Sequence, residues 1–264
     1  VKLAARQRPQ RAIGLELAAH PPDGLRLRRF ADAPRSADLD GWIEDGALWV
    51  RGASGPERLL AEAEVPITLS GTVRFMVDNA LCAALVGLEL GLGVAAVRAG
   101  LRAFAPDPDL SRGRLNRFTL PAGGLAVLDF AHNPAGVRGL QGLARAARPG
   151  RVTVLCGLAG DRIDPLIDAH AEAIASLQPD LVVLKELPLH RRGRAVGEMR
   201  ARLRERLRDR GVPDHAMIDV PEEVDAAAAA LDATGPGDLA LLLVHEELDG
   251  VLELLSARGA RVLR

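Results

Sequence analysis

The chain contains no tyrosine, and aromatic residues of all kinds make up only 3% of its 264 positions. So little aromatic surface supplies no row of stacking platforms of the kind that holds single-stranded nucleic acid. Charge of one sign is lacking as well: 34 basic and 35 acidic residues leave a net charge of −1, which removes the electrostatic basis for general nucleic-acid binding. No apolar run approaches the ~20 residues that cross a bilayer, and the opening VKLAARQRPQ lacks the apolar segment of a signal peptide. The expectation is a cytoplasmic protein with no membrane or nucleic-acid partner. Cys82 and Cys156 each lie in an apolar stretch without CxxC spacing, so they read as buried free thiols rather than a disulfide or metal site. The patterns GxSxG and HExxH are also absent, which excludes two common hydrolase signatures.

What is present is a regular alternation. Hydrophobic residues make up 48% of the chain, enough for a substantial core. Strand-like runs are read at Leu125 to Phe130, Arg151 to Leu158, Asp180 to Glu186, His215 to Val220 and Asp238 to His245. Helical periodicity follows each of them: Pro134 to Ala147, Pro165 to Leu177, Ala195 to Arg210, Glu222 to Ala233 and Glu246 to Arg258. Five such units with short connections predict an α/β fold with a mostly parallel sheet and right-handed crossovers. The first 104 residues differ, with β-like pieces at Ala12 to Leu17 and Ala47 to Val50 and helices at Asp78 to Leu90 and Val94 to Phe104. These few strands are not expected to form a sheet with two covered faces. The boundary is placed at APDPD, Ala105 to Asp109, which cannot continue a helix, giving domains 1–104 and 105–264.

The segment LAVLDFAHN, Leu125 to Asn133, delivers Asp129, His132 and Asn133 to the end of a buried strand just before Pro134. In open α/β sheets the ligand crevice lies beyond the carboxyl ends of the strands, so these residues are candidates for its floor. Each also suits helix capping.

Three pieces occur in order: Asn79-Ala80-Leu81-Cys82-Ala83-Ala84, Gly113-Arg114-Leu115-Asn116 and Asp129-Phe130-Ala131-His132-Asn133-Pro134. Together they resemble the Mur ligase superfamily, ATP-dependent ligases that join an amino acid to a carboxylate. Gly160-Asp161-Arg162, Lys185-Glu186, Arg192-Gly193-Arg194 and Gly197-Glu198 narrow the resemblance to the cyanophycin-synthetase type. The resemblance implies a Rossmann-like C-terminal domain with helices on both faces of its sheet, preceded by the rear part of a central ATPase domain. The phosphate loop of that family is missing, since neither Gly-Lys-Thr nor Gly-Lys-Ser occurs anywhere. A piece of a longer protein is therefore expected in preference to a natural loss of ATPase function.

By the same resemblance Asn79 contacts the adenine side of ATP, Asp129 the ribose, and Arg114 the phosphates, with His132 and Asn133 completing the nucleotide side and Arg114 and His132 as catalytic candidates. Asp161 and Arg162 read either as an ordinary turn or as substrate contacts. In the loop KELPLHRRGRAVGE, Lys185, Arg192 and Arg194 are candidates for carboxylates and Glu186 for a cationic amine, against the alternative of a solvated charged loop. Arg202, Arg204, Arg206 and Arg208 read as a solvated helix face around inward Val196, Met199, Leu203 and Leu207. The implied cofactors are ATP and Mg2+, with the Mg2+ ligands mostly outside this chain. The implied partners are an amino acid and a carboxylate acceptor, and a homo-oligomer is compatible with the sequence. Two alternatives stay open: a non-catalytic nucleotide-binding or scaffolding module, and a folylpolyglutamate-synthase-like ligase.

Overall fold

The computed structural model describes residues 2–5, 27–31, 35–52, 54–147 and 150–263. The chain divides into two compact units, Val1–Ala105 and Pro106–Arg264. Among the described residues no helix is long and apolar enough to cross a membrane.

In the first unit five strands form one sheet in the order β1-β2-β3-β4-β5: β1 (Lys2–Ala5), β2 (Leu27–Ala31), β3 (Gly41–Glu44), β4 (Ala47–Gly52) and β5 (Gly55–Ala61). β1, β2 and β3 pair in parallel, and β3, β4 and β5 are antiparallel. The two β-like pieces read from the sequence undercount this unit, which assembles five strands into one sheet. The hairpin between β3 and β4 turns on Asp45-Gly46, both with positive φ (50° and 66°), the two-residue turn whose twist matches that of paired strands. Trp42 and Trp49 face each other across it, stacked at 6.4 Å. The read piece at Ala12 to Leu17 lies outside the described residues.

Two helices follow, α1 (Arg74–Glu89) and α2 (Val94–Ala103). α1 covers β3 closely: a Cβ on Gly41 would stand 3.3 Å from Leu85 and 3.5 Å from Leu81, so glycine there lets the helix reach the strand.

The second unit is a seven-stranded sheet flanked by helices. Its strands are β6 (Asn116–Thr119), β7 (Leu125–Asp129), β8 (Val152–Cys156), β9 (Leu181–Leu184), β10 (Met217–Asp219), β11 (Leu239–Leu243) and β12 (Arg261–Val262), in the order β10-β9-β8-β11-β7-β6-β12. The five strands from β10 to β7 pair in parallel, as expected. Short antiparallel β6 and β12 close one edge. The helices are α3 (Pro134–Gly139), α4 (Gln141–Ala146), α5 (Asp164–Ala175), α6 (Glu198–Arg208), α7 (Glu223–Asp232) and α8 (Leu248–Ala257).

Strand residues alternate between two buried faces. Ala126, Leu128, Leu155, Val183, Ala240 and Leu242 pack with Ala227 and Ala230 of α7 and Val251 and Leu255 of α8. The intervening Val127, Val154, Val182 and Leu241 are equally buried, which requires the sheet to be covered on its other side too. The single helix read over Pro134 to Ala147 is instead two short ones meeting at Leu140. Gly136, Gly139 and Gly142 within nine residues weaken helix continuity there.

Candidate functional site

In the sheet register, Leu243 lies beside Asp129, Cys156 beside Leu184, and Leu184 beside Asp219. The parallel strands therefore end together, and the loops after all five emerge on one edge.

At the end of β7 the Asp129 carboxylate is buried, 5% exposed. One oxygen accepts from the Ala131 amide at 2.8 Å and the other from the Leu115 amide at 3.0 Å. Burial raises its pKa, and those two amides, with Arg114 and His132 nearby, pull it back. Asp129 thus ties the strand end to the loop before β6 and does not cap α3. Asn133 is the cap, its Oδ1 accepting from the Gly136 amide at 2.9 Å.

The loop carrying Arg114 is held from two sides. Besides Asp129, fully buried Asn116 accepts from the Gly113 amide at 2.7 Å and donates to the carbonyls of Ser111 and Arg114. Arg114 itself is exposed, with its guanidinium carbon 4.7 Å from the centre of the Phe130 ring, within cation–π range. His132 lies 5.2 Å from the same ring and His245, after β11, meets it edge-on at 5.3 Å. Phe130 therefore gathers a fixed cation and two imidazoles. His245 donates from Nε2 to the Ala131 carbonyl at 3.3 Å, while its buried Nδ1 has no partner. Burial, with Lys185 adding to it, lowers the His245 pKa to about 3, so the ring is neutral.

A second group lies after β9, β10 and β11. Lys185 is buried, 1% exposed, and its ammonium donates to Glu223 and to the Leu243 carbonyl. Glu223, 3% exposed, also accepts from the amides of His245, Glu246 and Glu247. Burial opposes the Glu223 charge, but Lys185 and these amides outweigh it and the carboxyl pKa is lowered. The ammonium read as a candidate for a substrate carboxylate is thus a buried group paired with Glu223. Glu186, also buried, accepts from the Gly197 amide and Arg200. Five glutamates, Glu186, Glu222, Glu223, Glu246 and Glu247, line a cleft of about 560 Å³ together with Arg191.

The loops after β8 and β9 are sewn together at Gly160. Its amide donates to the His190 carbonyl at 2.8 Å, and Arg194 donates to its carbonyl at 3.1 Å. A Cβ on Gly160 would stand 1.8 Å from the Arg191 carbonyl oxygen, which no side chain can occupy. Arg194 also pairs with Glu198 at 2.9 Å. Arg192 is exposed at a left-handed position (φ 50°), and Asp161 pairs with Arg162 at 3.5 Å. Asn79 is exposed on α1 in the first unit, its amide 3.5 Å from the Met76 sulfur. The arginines of α6 are paired: Arg202 with Asp164, Arg204 with Asp214 and Asp219, Arg206 with Asp168, Arg208 with Asp214; Met199, Leu203 and Leu207 face inward as read, but Val196 precedes the helix and is exposed.

The sequence reading passed over Glu223, His170, His245 and Asn116. His245 carried the signal that marked Asp129, a polar residue closing an apolar run (LALLLVHEE). Nothing local distinguishes Glu223 from Glu222, because its partners come from two other strands.

A mostly parallel sheet with polar and charged groups gathered along its carboxyl edge is the arrangement of a nucleotide- or substrate-binding α/β domain. Residues 113–243 match the family described as Mur ligase, glutamate ligase domain, and this part of the chain belongs to the Mur ligase superfamily. Cyanophycin synthetase of Trichormus variabilis is 28% identical over 220 residues, 82% of this chain and 23% of that protein. UDP-N-acetylmuramoyl-L-alanyl-D-glutamate--2,6-diaminopimelate ligase of Alkalilimnicola ehrlichii is 29% identical over 233 residues, 88% of this chain and 41% of its own length. Among solved structures, E. coli FolC in complex with DHPP and ADP shares the fold with a TM-score of 0.62 at 21% identity, covering 98% of this chain and 54% of that one. The chain thus spans between about a quarter and half the length of these relatives.

Proposed function

We propose that residues 1–104 are the rear part of a Mur-type central ATPase domain and 105–264 its C-terminal domain, in an ATP-dependent amide ligase of cyanophycin-synthetase type. In that reaction the terminal phosphoryl group of ATP passes to a carboxylate, and the amine of an amino acid displaces phosphate from the acyl phosphate. The observation that carries the reading is the exposed Arg114 guanidinium, held over Phe130 beside His132 and His245 at the carboxyl edge of the sheet. A permanent, pre-positioned cation is what phosphoryl transfer uses where charge develops. The ribose role of Asp129 uses the lone pairs left after its two amide bonds. Among the described residues no three His, Cys, Asp or Glu side chains converge to hold a metal.

The acidic cleft supports an incoming amino acid with a cationic side chain: Glu186, Glu223 and Glu246 are held by Arg200, Lys185 and His190, while Glu222 and Glu247 stand exposed on its wall to attract a guanidinium or ammonium and repel glutamate. With that cleft the folylpolyglutamate type is the weaker reading. The test is phosphate release by the full-length protein given ATP, an aspartate polymer and either arginine or glutamate. Release with arginine is expected. Release with glutamate alone selects the folylpolyglutamate type. ADP binding with no release under any condition selects the non-catalytic module.

A further inference from the structure

Of the 34 basic residues only Lys2 and Lys185 are lysines, and arginine supplies every other cation. Among the described residues Lys185 is also the only lysine or arginine in the core. A compact ammonium fits where the planar fork of a guanidinium does not. Stability alone does not explain the pair it makes with Glu223, because apolar residues of similar volume hold a core at least as well as a buried ion pair. What apolar residues cannot do is accept hydrogen bonds. Glu223 accepts three in succession, from the amides of His245, Glu246 and Glu247. Lys185 fixes that carboxylate and, through the Leu243 carbonyl, the last residue of β11. The loop after β11 is thus wrapped around one buried charge.

That loop presents the His245 ring. The ring's own bonds hold it weakly: Nε2 reaches the Ala131 carbonyl at 3.3 Å, and the buried Nδ1 has no partner. Its place is set instead by its backbone, whose amide donates to Glu223 at 2.8 Å. The ring meets Phe130 edge-on, with 5.3 Å between centroids and 68° between planes. Phe130 is half-buried, and the second side-chain torsion of phenylalanine has broad minima, so this ring takes its tilt from what packs against it. The Arg114 guanidinium carbon lies 4.7 Å from its centre.

We propose that Glu223, held by Lys185, is a positioning residue for Arg114: it fixes the loop after β11, the loop fixes His245, and His245 sets the tilt of the ring on which the guanidinium rests. The inference rests on the ligase reading only for the use to which Arg114 is put. In a phosphoryl-transfer site a misplacement of about 1 Å costs on the order of 10²-fold in rate, so control over the tilt of Phe130 is control over turnover.

The experiment uses full-length protein carrying 13Cζ-labelled arginine, with the Arg114 signal assigned by its loss in Arg114→Ala. The effect of the Phe130 ring current on that signal is the difference between wild type and Phe130→Leu. Glu223→Asp keeps the charge and draws the carboxylate back by one methylene, and His245→Leu keeps the ion pair and removes the imidazole. Most of the ring-current displacement is expected to be lost in each. Either variant alone decides, since each breaks one link of the chain, and an unmoved Arg114 signal overturns the proposal whether or not the protein turns over ATP. Phosphate release decides the ligase reading separately. Where turnover is measured, Glu223→Asp is expected to lower kcat about tenfold with little change in KM, and to cause no further loss in an Arg114→Ala background. Losses that multiply in full assign Glu223 a structural role alone and overturn the positioning.

Discussion

At the scale of single residues, the candidate site separates into groups that face outward and groups that hold the frame. Arg114 is of the first kind, exposed and tethered through a ring contact. Arg114→Ala is expected to lower turnover of the full-length enzyme by about 10²–10³, the effect of removing one transition-state donor, while the thermal midpoint stays put. Asp129 is of the second kind. Asp129→Ala strands the buried amides of Leu115 and Ala131, each costing about 1–3 kcal/mol, so this variant loses stability as well as activity, measurable by urea denaturation. Glu223→Gln breaks a buried ion pair and is expected to cost about 3–5 kcal/mol; a loss under about 1 kcal/mol means that Lys185 finds another acceptor.

The two buried histidines set an acid limit. Both have pKa values depressed from 6.5, His170 to about 4 and His245 to about 3. Above the unfolded value both states are neutral and stability is full. As pH falls below 6.5 the unfolded chain takes up protons that the native rings refuse, and stability drains until these rings protonate near the lower values. Between about pH 6 and pH 5, above the carboxylate range, the two together give a slope approaching ~2.7 kcal/mol per pH unit. Replacing His170 by leucine should halve that slope, as read from denaturation midpoints across the window.

At the scale of elements, the five parallel strands and the helices after them were legible because each strand is an apolar run closed by polar residues. The strand-end cluster at Asp129 was legible for the same reason. β6 and β12 escaped because two to four residues on a sheet edge carry too little alternation to stand out. Lys185 was read as a candidate for a substrate carboxylate because sequence shows its charge and not Glu223, 38 positions away. The seam at Gly160 was equally invisible, since it depends on the Arg191 carbonyl from another loop. Gly160→Ala must push these loops apart, at a cost of about 1–3 kcal/mol or more, and hydrogen exchange at the Gly160 amide, protected by the His190 carbonyl, should accelerate.

At the scale of the whole molecule, each unit has its own sheet and its own buried residues. A domain of the second unit's size buries enough surface to fold alone. Residues 106–264 expressed by themselves are therefore expected to unfold in one cooperative transition, seen by circular dichroism in urea; a broad, non-cooperative loss would refute their independence. The front unit was the less legible half, because its sheet combines strands separated by long stretches with no periodic signal.

The stacked Trp42 and Trp49 bear on how these experiments are read. They are the only two tryptophans, both lie on the β3–β4 hairpin, and the chain has no tyrosine. Intrinsic fluorescence of this protein therefore reports on the first unit alone, while the sheet that carries Arg114, Asp129 and the acidic cleft emits nothing at tryptophan wavelengths. A single tryptophan placed in the second unit, with Trp42 and Trp49 replaced by phenylalanine, would turn that silence into a private optical channel for this sheet.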